Sequence, residues 1–146
     1  MATMRWEEVE DHTADTGLKV WGKSPEECIM AAVIGFVNLV TDPATLVIDE
    51  DTKIEVEIWF DTDDGADACM HDVLNSLLYR LEVNDQLPVA ITEAHMAGEY
   101  FVLSCHFGKW VQDISESKTE IKAITWQDLR LSETEAGWFG YVIFDI

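Results

Sequence analysis

The run Asp11-His12-Thr13-Ala14-Asp15 places two carboxylates and an imidazole within five residues. Oxygen and ring-nitrogen donors together can ligate a divalent metal. Aspartates in a short run without periodicity also close turns by bonding to their own backbone, and spacing alone favours that reading. A second pair of oxygen donors stands at Phe144-Asp145-Ile146, where the Asp145 side chain and the terminal carboxylate are neighbours. Hard oxygens at the end of an apolar strand suit Ca²⁺, Mg²⁺ or Mn²⁺. An ordinary solvated terminus accounts for the same residues and is what sequence alone favours. A third acidic run, Asp61-Thr62-Asp63-Asp64-Gly65-Ala66-Asp67, starts like an EF-hand loop but has no Glu at the required distance after the glycine. It reads as a solvated turn leading into a helix N-terminus, where acids suit the dipole.

Other chemistries find little support. His71, His95 and His106 form no i, i+4 ligand pair and read as packed or surface residues. Cys28, Cys69 and Cys105 are scattered without a CxxC spacing, which argues for buried thiols over a disulfide framework or a zinc site. Neither Ser24 nor Ser76 sits in a GxSxG nucleophile motif, and there is no glycine-rich phosphate loop. The net charge is -20, from 29 acids against 9 Lys+Arg. A polyanion repels phosphate backbones, so direct nucleic-acid binding is not expected. Two uses of the charge stay open: adaptation to high salt, or service to a basic partner or hard cations. No apolar run reaches the roughly 18 residues of a membrane span, and Met1-Ala2-Thr3-Met4-Arg5-Trp6 carries no signal-peptide pattern. The expectation is a cytoplasmic protein without a membrane partner.

The elements that must position these residues follow from periodicity. Trp6 to Val9 and Gly17 to Trp21 read as short strands on either side of the Asp11–Asp15 loop. Ser24-Pro25-Glu26-Glu27 is a helix start: an N-cap serine, proline at the first helical position, and a glutamate placed to reach back to the Ser24 amide. Ile29, Ala32, Val33, Phe36, Val37 and Val40 then share one face, and Asp42-Pro43 ends the helix. Lys53 to Phe60 alternates as a half-buried strand, and a second helix is expected from about Ala66 to Val83. Val89 to Ala97 and Tyr100 to Phe107 flank a hairpin turn at Gly98-Glu99. Glu120 to Leu131 alternates as one strand, and Trp138 to Phe144 is the last. The expectation is an α+β fold, a single domain over 1–146, mostly antiparallel sheet with two main helices packed on one face.

Four segments carry a resemblance. Asp11 to Gly22 is similar to the DHTADxGxxxxG signature of the archease family. Leu74-Asn75-Ser76-Leu77-Leu78-Tyr79 resembles its LNELLY helix, and Thr119-Glu120-Ile121-Lys122-Ala123-Ile124-Thr125 resembles its TEIKAVT strand. Val142-Ile143-Phe144-Asp145-Ile146 resembles its V-x-F-D-[IV] end, and the four matches span nearly the whole chain in order.

The resemblance implies an accessory protein, not an enzyme, that partners an RtcB-type tRNA-splicing RNA ligase, speeding its guanylylation and giving it multiple turnover. It also implies a divalent metal, calcium first, held by Asp15, Asp145 and the backbone or terminal oxygens of Ile146, with Asp11, His12 and Lys122 as supporting candidates. The chain departs from the family at Trp126-Gln127, where Tyr-His is usual, and at Thr16, where Ile is common. No role is therefore assigned to the family's strand histidine. Two rivals remain: a chaperone or modulator of a tRNA-modifying enzyme such as a methyltransferase, which needs an exposed apolar patch, and a metal-dependent hydrolase, for which His12 is the nearby general base.

Overall fold

The computed structural model describes residues 3–10, 15–59 and 65–146, with the backbone alone for residues 49–54 and 59. Asp11, His12 and the acidic run at 61–64 lie outside the described residues. The order is β1 (Arg5–Glu10), β2 (Thr16–Gly22), α1 (Pro25–Val40), a 3₁₀ turn (Pro43–Thr45), β3 (Val47–Trp59), α2 (Gly65–Asn84), β4 (Gln86–Ala97), β5 (Tyr100–Lys109), β6 (Ala123–Ile124), β7 (Arg130–Thr134) and β8 (Gly137–Asp145). The α+β class holds, with every strand pair antiparallel.

The first helix begins where its capping residues require. Ser24 Oγ accepts from the Glu27 N–H at 3.2 Å, with Pro25 at the first helical position. The Glu27 carboxylate accepts from the N–H of Lys23 at 2.9 Å, one residue before the amide expected. Every apolar residue expected on the inner face of α1 is buried, and so are Cys28, Ala31 and Leu39. The extra burial has a cause: α1 lies against β1, β2 and β8 of one sheet and against β4 of the other. A Cβ on Gly35 would stand 3.0 Å from the Leu18 side chain, so glycine lets helix and strand approach closely. The second helix buries Met70, Val73, Leu74, Leu77 and Leu78 as its spacing predicts.

The strands divide into two sheets. One has the order β1-β2-β8-β6 with β7 also paired to β8; the other is β3-β5-β4. In the first, β8 is central. Its whole length from Trp138 to Phe144 pairs β2 on one edge. The opposite edge is shared, β7 taking Gly137 to Tyr141 and β6 taking Phe144 and Asp145.

The single strand expected over Glu120 to Leu131 is a correction. Ala123 and Ile124 form one short strand there, and a separate strand, β7, starts at Arg130. Before β6, the N–H groups of Lys118 and Thr119 donate to Val40 O and Leu39 O at the end of α1, so that stretch is tied to a helix and not to a strand. After β6, Leu129 N donates to Trp126 O at 3.4 Å, closing a turn in which Asp128 has φ 54. Aspartate tolerates this left-handed region better than most residues. Elsewhere the boundaries extend outwards: β3 begins at Val47 and β4 at Gln86.

Candidate metal centre

Asp145 is the last residue of β8, and its environment is built by three neighbouring segments. On one side, the β2–β8 register ends at Thr16 opposite Phe144. Asp15 precedes Thr16 directly, so Asp15 and Asp145 are the next residues beyond the last pair of the β2–β8 ladder. Opposed residues of an antiparallel pair share a face of the sheet. Thr16 and Phe144 take the buried face, while Asp145 is exposed and Asp15 half-buried. Thr16 Oγ1 donates to Val9 O at 3.3 Å, which fastens the start of β2 to β1.

On the other side, Ala123 is the β6 partner of Asp145. Lys122 N donates to Asp145 O at 2.7 Å, and Thr125 N donates to Ile143 O at 3.0 Å. The Lys122 side chain is exposed and, among the described residues, forms no ion pair. Ile146 is half-buried and packs against the core, which anchors the chain beyond Asp145. The structure thus brings Asp15, Lys122, Asp145 and Ile146 to one corner of the first sheet. Asp15, Asp145 and the backbone or terminal oxygens of Ile146 would supply hard oxygen donors, the kind that suit Ca²⁺, Mg²⁺ or Mn²⁺. Among the described residues no group of three His, Cys, Asp or Glu side chains is gathered for a metal.

The thiols contribute nothing to that corner. Cys28, Cys69 and Cys105 are fully buried in α1, α2 and β5, as expected. Burial pushes the Cys28 and Cys69 thiols up to about 12 and Cys105 to about 11. Thiols held protonated in this way are poor ligands and poor nucleophiles.

His71 is packed, as its position in α2 suggests, but its partners were not foreseen. One ring nitrogen lies 3.1 Å from Ile124 O and the other 3.1 Å from Asp72 Oδ1. The ring stacks on Trp126 at 3.7 Å between centroids. Since Ile124 belongs to β6, His71 ties α2 to the segment that holds Asp145. A lone histidine within the apolar stripe of a helix is the available signal, because a buried polar ring requires a partner.

Comparisons with known proteins agree over nearly the whole length. The model of the Archease protein family (MTH1598/TM1083) matches residues 6–146. Protein archease of Methanopyrus kandleri is 27% identical over 148 residues, covering 98% of this chain and all of that protein. Protein archease of Methanosarcina barkeri is 31% identical over 143 residues, covering 93% of this chain and 92% of the relative. Among solved structures, a Methanobacterium thermoautotrophicum protein aligns with a TM-score of 0.71 at 20% identity, covering 97% of this chain and 98% of that one. A Thermotoga maritima protein, described as an archease and possible chaperone, aligns with a TM-score of 0.63 at 22% identity, covering 94% and 95%. At those identities the structures speak for the fold alone; with the family model spanning residues 6–146, the chain belongs to the archease family.

Proposed function

We propose that this chain is a metal-binding accessory protein that activates an RtcB-type tRNA-splicing RNA ligase, promoting its guanylylation and multiple turnover without bond chemistry of its own. The observation that supports this most is the β2–β8 register, which ends at Thr16 opposite Phe144 and leaves Asp15 and Asp145 as the next residues of the two segments, in a member of this family. In this reading Asp15, Asp145 and the terminal oxygens of Ile146 hold a divalent cation, calcium first, with Asp11, His12 and Lys122 in support. A bound cation supplies positive charge at an otherwise acidic corner. The -20 surface would keep the protein off free RNA while favouring a basic partner. No helix among the described residues is long and apolar enough to cross a membrane, and the setting proposed is cytoplasmic.

The test is ligase–GMP formation over time with substoichiometric wild type, Asp15→Ala, Asp145→Ala and Lys122→Ala. Wild type should accelerate it, and both aspartate variants should lose the effect together with calorimetric metal binding. No acceleration by wild type with the ligase of its own organism would sink the reading. A Lys122→Ala protein that behaves as wild type would make that lysine structural. A C-terminal tag should impair activation more than an N-terminal one.

A second reading, a chaperone or modulator of a tRNA-modifying enzyme such as a methyltransferase, draws on the exposed Tyr79, Val83 and Trp126. Suppression of an unrelated protein's aggregation, equal with and without EDTA, would favour it.

A further inference from the structure

Next to the C-terminal half of α2 lies a cleft of about 310 Å³ that the metal corner does not use. Its floor is apolar, made by Leu78, Leu81 and the buried Ile121. Trp110 stands as one wall. Trp110 is held at both ends, its main-chain N–H donating to Asp85 O at 2.7 Å and its indole N–H to Glu116 O at 3.1 Å. Around the opening stand the exposed carboxylates of Glu82, Asp85 and Glu120.

Among the described residues, no lysine or arginine lines this cleft, and none of the three acids forms an ion pair. Lys109 and Lys122, beside Trp110 and Ile121 in sequence, are exposed and lie outside the lining, and two other nearby basic side chains are engaged elsewhere. Arg80 lies 4.4 Å over the Phe107 ring, and Lys118 donates to Asn38 O at 3.2 Å. An apolar floor, a rigid aromatic wall and an uncompensated acidic rim together describe a receptor for a cation on an aliphatic stem. A planar guanidinium fits best, since it stacks on indole and forks onto carboxylates.

We propose that this cleft receives an arginine side chain from a basic partner polypeptide. The claim does not rest on the ligase or metal readings, and its test contains neither. The full chain, in EDTA at low ionic strength, is titrated calorimetrically with a short peptide carrying arginine at every third position. The same peptide with citrulline in place of arginine is the neutral control. Glu82→Gln/Asp85→Asn/Glu120→Gln should raise Kd by about ten-fold or more. Asparagine keeps the left-handed backbone at position 85 accessible, where φ is 55. Glu55→Gln/Glu57→Gln/Glu93→Gln changes the net charge equally on the other sheet and should raise Kd by less than about two-fold. Quenching of Trp110 by the peptide, lost in Trp110→Leu, would place the contact. Equal weakening by the two triple variants would overturn the proposal, leaving net charge as the whole attraction. Citrulline peptide binding as tightly as arginine peptide would overturn it too. So would spermine that binds more tightly than the peptide and displaces it, because the source would then be a free polyamine.

Discussion

The two sheets treat their central strands differently. In the first, β8 meets β2 in seven consecutive pairs, from Thr16–Phe144 to Gly22–Trp138, without interruption. In the second, β5 is also central, but its register shifts on both flanks, between Ile48 and Lys53 of β3 and between Val89 and Glu93 of β4. Ala90, with φ 47, stands within the second interruption. A bulge re-aims side chains and bends a strand; an unbroken ladder fixes the position of its last residue. The sheet that ends at Asp145 is the unbroken one. Regular backbone placement is thus found along the ladder that leads to Asp145, and the second sheet tolerates irregularity.

The strongest way to break this contrast is to strain the seam. A Cβ at Gly17 would fall 2.6 Å from Val142 O, a backbone atom that cannot move aside. Gly17→Ala should therefore cost about 3 kcal/mol. Gly98, in the hairpin turn of the second sheet, needs glycine only for its φ of 63, since a Cβ there would meet nothing within 4 Å. Gly98→Ala should cost about 1 kcal/mol. Urea unfolding of both variants checks the ranking, and equal losses would erase the distinction between the sheets.

A narrower probe acts on the edge that carries Asp145. His71→Ala removes a partner of the Ile124 carbonyl and the stack on Trp126, and should cost about 2 kcal/mol. Amide exchange should accelerate at Lys122 and Thr125, which donate to β8, and stay unchanged at Leu103 in β5. Uniform acceleration would mean that His71 supports the whole fold and not that edge.

Alkaline pH offers a weaker but signed test. The folded-state thiol pKa values are raised from 9.0, to about 12 for Cys28 and Cys69 and about 11 for Cys105. A raised pKa means the folded state holds its proton more tightly. The stability this gives is complete below pH 9 and is lost as pH climbs towards 11 to 12. Urea midpoints should be insensitive to the thiols below pH 9 and fall above it. Cys→Ala variants, destabilised at neutral pH, should show a flatter decline.

The smallest effects belong to the surface. Glu55 and Glu57 are exposed on the same strand of the second sheet. If the charge is an adaptation to salt, Tm should rise steadily with KCl, since the Debye length falls from about 10 Å at 0.1 M to about 3 Å at 1 M. Replacing both by Gln should reduce the slope. A Tm independent of salt would assign the acidic surface to a partner instead.

Local patterns were legible and distant pairings were not. The Ser24-Pro25 helix start, the alternation of β3 and the apolar stripe of α2 follow from spacing within a few residues, and the structure repeats them. The turn from Trp126 to Leu129 was hidden because alternation continues through it, and its left-handed Asp128 looks ordinary in sequence. The division into two sheets depends on which strands pair, which no local period encodes. The pairing of the strand after Asp15 with the strand that ends at Asp145 was likewise invisible to spacing: a joint site for the two was implied only by a family resemblance, and the β2–β8 register shows that their strands are neighbours.

That register also orders events during synthesis. The strand β2 is made early and β8 after every other element of the fold, yet each is the other's main partner. While a ribosome still holds β8, Leu18 and Val20 have α1 beside them but an open sheet edge, and long-range pairing of this kind is slow to form. The corner at Asp145 is therefore the last part of the fold to assemble. A chain interrupted before β8 cannot build that corner.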